Sequence, residues 1–178
     1  MKADINGWLS GVRRIISPNY DRRPPGAKID LLVIHNISLP PEQFSGSGIE
    51  RFFTNQLDTE SHPYYEQLKG VKVSAHFLIR RDGGIVQFVP CTQRAWHAGV
   101  SSWQGRSRCN DYSIGIELEG SDYVPFTERQ YTALVRLTRR LKRAYPISSI
   151  AGHSDIAPLR KTDPGPYFDW PRYMAFFK

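Results

Sequence analysis

The stretch Ile29-Asp-Leu-Leu-Val-Ile-His35 decides the architecture. Leu31 to Ile34 form a continuous apolar run, the pattern of a central strand buried on both faces rather than a half-exposed one. Such strands belong to α/β sheets with helices on both sides, and His35 stands where this one is expected to end. In open α/β sheets ligands gather at the carboxyl ends of strands, so an imidazole there is a candidate for chemistry.

Working outward, other segments supply the rest of a mixed sheet. Tyr112-Ser-Ile-Gly-Ile-Glu-Leu-Glu119 alternates with period two, Ile114, Ile116 and Leu118 on one face and Gly115, Glu117 and Glu119 on the other. A glycine beside an acid marks a face that something approaches closely. Glu119 reads as a surface carboxylate. Ser74 to Arg80 and Ile85 to Val89 flank Asp82-Gly83-Gly84, a hairpin signal. Thr127-Glu-Arg-Gln130 is a capping box that opens a helix to about Ala144, ended by Pro146, with its arginine face solvated. A short strand, Ser149 to Ala151, then delivers His153. The predicted fold is one α/β domain over 1–178, a twisted mixed sheet flanked by helices. Residues 1–28 read as an irregular arm, and 39–70 as a loop-rich insertion of the kind that forms lids or binding walls.

Composition bounds the function. With 178 residues and 40% apolar content the chain can bury one substantial core. No apolar run approaches the ~20 residues that span a bilayer, and residues 1–8 have no signal-peptide pattern. Cys91 and Cys109 read as reduced thiols. These features point to a cytoplasmic protein with no membrane partner. The net charge of +7 is spread over scattered arginines with no nucleic-acid signature beside them, so no nucleic-acid partner is assigned and the field is left to steer an anionic small substrate.

The chemistry concentrates in Ala151-Gly-His-Ser-Asp-Ile-Ala-Pro-Leu-Arg-Lys-Thr-Asp-Pro-Gly-Pro166, too rich in proline and glycine for a helix. His153 and Asp163 meet if this loop turns back, and an imidazole with a carboxylate suits Zn²⁺. A catalytic zinc needs a third protein ligand, and His35 is the candidate. Glu117 is placed to collect a proton, Lys161 to stabilise an oxyanion, and Asp155 to orient the loop. Trp96-His97, in a glycine-bounded loop, looks like a wall that grips a ligand. His62 and His76 read as structural.

Val33-Ile-His35-Asn36, Ser74-Ala-His-Phe-Leu-Ile79, Trp96-His-Ala-Gly99, Ser113-Ile-Gly-Ile-Glu117 and Gly152-His153 through Lys161-Thr-Asp-Pro-Gly165 together resemble the zinc-dependent N-acetylmuramoyl-L-alanine amidase family. That family also takes in phage T7 lysozyme and the peptidoglycan recognition proteins. Ile37-Ser-Leu-Pro-Pro41 and Gln104 to Asp111 are similar to its branch acting on 1,6-anhydro-muropeptides in cytoplasmic peptidoglycan recycling. The resemblance implies the amidase fold, zinc on His35, His153 and Asp163, and Glu117 and Lys161 as the catalytic pair. It further implies that Asn36, Lys72, Trp96, His97 and Arg108 face an anhydro-muropeptide substrate, and a monomer is expected. Lysis of intact wall and non-catalytic binding of peptidoglycan are the alternative readings. Asp163 stands where phage relatives often carry cysteine, and Ser45-Gly-Ser-Gly48 offers none of the tyrosine that they place near the metal.

Overall fold

A computed structural model describes residues 6–177. Its strands, in chain order, are β1 (Arg13–Arg14), β2 (Tyr20–Arg22), β3 (Leu31–Ile37), β4 (Phe77–Ile79), β5 (Ile85–Gln87), β6 (Gln93–Ala95), β7 (Ser102–Trp103), β8 (Arg106–Ser107), β9 (Ser113–Glu119) and β10 (Ser149–Gly152). The helices are α1 (Gly48–Phe53), α2 (Glu128–Ala144), α3 (His153–Ile156) and α4 (Trp170–Met174). Six strands form one mixed sheet in the order β1-β5-β4-β9-β3-β10. Only the β4–β5 hairpin in it is antiparallel; β3 lies between parallel neighbours β9 and β10.

The apolar run predicts the centre of this sheet, and Leu31 to Ile34 are all fully buried. Alternate residues of β3 and β9 divide between the two faces. Leu32, Ile34, Ile114, Ile116 and Leu118 pack with Leu134, Leu137 and Leu141 of α2 and with Tyr173 of α4. Helix α2 opens as expected: Thr127 Oγ1 accepts from Gln130 N–H, and Gln130 Oε1 accepts from Thr127 N–H. Its arginine face is largely exposed, with Arg140 reaching the Ser10 carbonyl. On the opposite face Leu31, Val33, Ala98, Cys109, Ala151 and Ile156 form one small cluster. A second joins Leu39, Ile49, Phe52, Phe53 and Tyr65 of the insertion to Leu78, Val86 and Phe88.

Five expectations change. The arm is not irregular throughout: β1 extends the sheet edge beside β5, and β2 pairs with β6. Residues 1–5 of that arm lie outside the described residues. The arm is also fixed by Arg23, whose partly buried guanidinium donates to the carbonyls of Cys91, Asn110, Asp111 and Ser113. Strand β3 runs to Ile37, two residues past His35, and the hairpin strands are shorter than predicted. The stretch 151–166 does contain one helical turn, α3, since its prolines begin only at Pro158 and leave Ser154 to Ile156 free to coil. Glu119 is not a surface carboxylate. It is 1% exposed and accepts from Arg80 and from the backbone N–H groups of Ser45 and Arg81. Its charge is compensated by Arg80, which also holds Glu50 of α1, so this buried acid ties the insertion to the sheet.

Candidate metal centre and its cavity

Strand register builds the site. Parallel pairing sets His35 of β3 opposite Glu117 of β9. Gly152 of β10 pairs with Ile34, which brings the next residue, His153, beside His35. Three chemically active side chains therefore form one row across the carboxyl ends of three parallel strands. Asp163 arrives from the return of the loop, held by a hydrogen bond from Ser154 N–H to the Asp163 carbonyl at 2.8 Å. Gly152 permits this approach: a Cβ there would lie 2.8 Å from Pro164 Cδ. Asp155 braces the same turn by accepting from Gly152 N–H at 2.7 Å.

The ligand atoms of His35, His153 and Asp163 lie within 4.8 Å of one another. His35 Nδ1 is 3.0 Å from His153 Nδ1 and 3.0 Å from Asp163 Oδ2, and His153 Nδ1 is 3.1 Å from the same oxygen. The far nitrogens show why this cluster fits a cation. His153 Nε2 is 3.1 Å from the Ala98 carbonyl, which only accepts, so Nε2 carries the proton and Nδ1 turns a bare lone pair inward. His35 Nε2 is 2.9 Å from His97 Nδ1, and His97 Nε2 is 3.1 Å from Ser113 Oγ. Donation from His35 to His97 and from His97 to Ser113 satisfies each contact and bares His35 Nδ1 as well. Two lone pairs and a carboxylate oxygen then converge, as a bound metal ion requires.

The electrostatics agree. Burial lowers His35 to about 4 despite Asp163, so its imidazole is neutral and able to ligate at physiological pH. For Asp163 burial acts upward, but the His153 and His35 rings beside it outweigh burial and hold the carboxylate ionised. Glu117 is 8% exposed; burial raises it well above the usual carboxylate range, the Asp163 charge adds to this, and Lys161 opposes it. Its Oε2 has no hydrogen-bond partner among the described residues.

These groups open into a cavity of about 330 Å³ whose lining includes His35, His153, Asp163, Glu117, Lys161, Asn36, Trp96 and His97. The insertion contributes apolar wall, among it Leu39, Pro41, Phe52 and Leu68. Asn36 is braced by Asp122 at 2.7 Å. Two expected contacts fall elsewhere. Lys72 is exposed and lines a neighbouring depression behind Phe52 and Leu68. Arg108 is exposed on a left-handed residue and pairs with Asp111 at 3.1 Å. Both belong to loops, where spacing says nothing about direction. Tyr64, 37% exposed, reaches the cavity from the 3₁₀ turn Pro63–Leu68, so a tyrosine comes from a later part of the insertion than Ser45 to Gly48. Nothing in the aperiodic sequence of that segment singles it out. His62 and His76 are structural, as read. His62 accepts from Tyr64 N–H, while buried His76 accepts from Gly115 N–H and donates to the Gln93 carbonyl.

Residues 25–166 match the model of the N-acetylmuramoyl-L-alanine amidase family. The chain belongs to that family. Over 171 residues this amidase is 56% identical to the 1,6-anhydro-N-acetylmuramyl-L-alanine amidase AmpD of Escherichia coli K12, covering 95% of its own length and 93% of the relative's. The crystal structure of a selenomethionine AmpD derivative superposes with a TM-score of 0.94 at 54% identity, over 99% of each chain. The complex of the E. coli amidase AmiD with anhydro-N-acetylmuramic acid-L-Ala-D-gamma-Glu-L-Lys has a TM-score of 0.60 at 32% identity, covering 88% of this amidase and 61% of AmiD. The mixed-sheet fold of the present amidase is thus that of its relatives. No helix among the described residues is long and apolar enough to cross a membrane.

Proposed function

We propose that this amidase uses zinc to hydrolyse the amide between the lactyl group of 1,6-anhydro-N-acetylmuramic acid and L-alanine of the stem peptide, in cytoplasmic peptidoglycan recycling. The observation that carries the reading is the convergence of His35, His153 and Asp163 at the floor of a cavity shared with Glu117 and Lys161. The names of the relatives support the substrate class. The buried cysteines Cys91 and Cys109, far too few for a disulfide framework, support a reducing compartment. One chain supplies the whole set of groups, which supports action as a monomer.

His35, His153 and Asp163 would hold the zinc, which would supply a Lewis acid for the scissile carbonyl and lower the pKa of a water beside it. Glu117 takes up the proton of the attacking water at its unpartnered Oε2 and delivers it to the leaving alanine nitrogen. Its raised proton affinity suits both halves of that transfer. The Lys161 ammonium faces the oxygen that becomes negative in the tetrahedral intermediate. Asn36 and Trp96 orient the sugar and peptide along the cavity wall. Arg108 and Lys72 are left to meet the acidic stem peptide beyond the rim, Lys72 as a point charge only.

A mass-spectrometric digest of mixed muropeptides, with and without chelator, tests the reading. Release of stem peptide from anhydro-muropeptides, abolished by chelator and restored by zinc, is expected. Undiminished release in chelator contradicts the metal. Faster release from intact sacculi replaces recycling with wall lysis.

A further inference from the structure

His97 lines the cavity, but both its ring nitrogens are engaged by groups of the fold, His35 on one side and Ser113 on the other. It is buried, and its ring is wedged edge-on between His35 and His76, with centroid separations of 5.0 and 5.8 Å. Strand β9 is carved out for it: a Cβ on Gly115 would lie 2.5 Å from His97 Cγ and 2.6 Å from Nδ1. The backbone is fixed as closely as the ring. Asn110 Oδ1 accepts from both His97 N–H at 3.1 Å and Ala98 N–H at 2.8 Å. This pinned dipeptide touches the far nitrogen of each histidine in the cluster, His35 through the His97 ring and His153 through the Ala98 carbonyl.

We propose that His97 is a positioning residue: backed by Ser113 and pinned by Asn110, it holds His35 as the tautomer protonated on Nε2, so that Nδ1 presents its lone pair beside His153 and Asp163. The proposal deepens the metal reading, since the tautomer matters most if a cation is bound. The geometry does not depend on that reading. Ala98 fixes the His153 tautomer through a group that can only accept. Among the described residues no carbonyl bonds the His35 ring; its partner is a ring that can donate or accept, and Ser113 Oγ at the far end completes the relay. A ligand held in this way loses metal affinity when the partner is removed, although the partner never touches the ion.

Four proteins test it: wild type, His97→Phe, His97→Asn and Ser113→Ala. Zinc affinity is read by competition with a chromophoric chelator, and the ring tautomer of His35 by nitrogen-15 NMR on chelator-treated protein. Phenylalanine keeps the ring and removes both nitrogens, whereas the asparagine carbonyl returns an acceptor close to Nδ1. His97→Phe is expected to bind zinc about 10- to 100-fold more weakly, with His97→Asn recovering most of the loss. Ser113→Ala should give a smaller loss in the same direction. If His97 served only to fill space, the order would reverse, with His97→Phe near wild type and His97→Asn worse; that result overturns the proposal. Should a variant fail to fold, the wild-type spectrum decides, because a proton on His35 Nδ1 contradicts the relay. If wild type takes up no zinc, the metal reading falls while the tautomer still answers the present question.

Discussion

The two faces of strands β3 and β9 are built from alternate residues of the same segments and do opposite work. Towards α2 they present Leu32, Ile34, Ile114, Ile116 and Leu118, all buried apolar side chains in one continuous core. On the other face, the same strands hold His35, Gly115 and Glu117, all buried, with the missing glycine side chain filled by the His97 ring. The first face gains free energy from burial. The second carries a carboxylate with an oxygen left without a partner, which costs stability. Period-two alternation lets one strand serve both ends without compromise: the apolar face provides the rigidity against which the polar face is held in position.

Substitutions on each face should therefore separate activity from stability. Glu117→Ala is expected to lower turnover by about 10²- to 10⁴-fold. It should retain zinc and unfold no more readily than wild type, because a buried carboxylate without full hydrogen bonding is removed. Turnover near wild type would take Glu117 out of the mechanism. Ile116→Ala, its neighbour on the opposite face, should show the converse. A loss of about 2–5 kcal/mol in denaturant unfolding is expected from the cavity it leaves. Turnover per folded, zinc-loaded molecule should stay close to wild type, and a large loss there would show that the faces are coupled.

The polar face should also make the chelated protein sensitive to acid, where the apolar face is indifferent. Burial holds His35, His76 and His97 below their ordinary values, so the unfolded chain binds protons more readily than the folded one. The histidine contribution to stability is then fully present above about pH 6.5, the free imidazole value, and falls with decreasing pH until His35 itself titrates at about 4, while Glu117, raised by burial, acts in the opposite direction. For His35 alone the loss is on the order of a few kcal/mol. Asp163, whose folded value is depressed, adds a further loss in stronger acid. Thermal melts of chelated Glu117→Gln protein, which lacks the opposing carboxyl, that are flat from pH 7 to 5 would contradict this. The smallest expected effect concerns the insertion. Amides of 54–62, mostly exposed, should exchange faster than those of α1, which is fixed by Ile49, Phe53 and the Glu50–Arg80 pair. Uniform protection across 39–70 would contradict this.

The sequence made the α2 face and the chemical row legible for one reason: both follow from strict periodicity. The run at 31–34, the alternation at 113–119 and the capping box at Thr127 each have a single physical reading, and register then aligns His35, Glu117 and His153. Asp163 was reachable because proline and glycine force its loop to return. Glu119 was misplaced because its compensating Arg80 is distant in sequence, and no local pattern announces a buried ion pair. The supporting role of the His97 ring was hidden for a similar reason: it depends on the space left by Gly115, which alternation marks as a close approach without saying by what. Tyr64, Lys72 and Arg108 lie in loops whose direction is set by contacts and not by spacing.

The account depends most on a single ion at the end of the row. An anomalous-difference map from a crystal of the zinc-loaded protein, collected above the zinc edge, would test it directly. The account predicts one strong peak about 2.0–2.2 Å from His35 Nδ1, His153 Nδ1 and an Asp163 carboxylate oxygen. A map with no peak there, or with the peak on other residues, would contradict it.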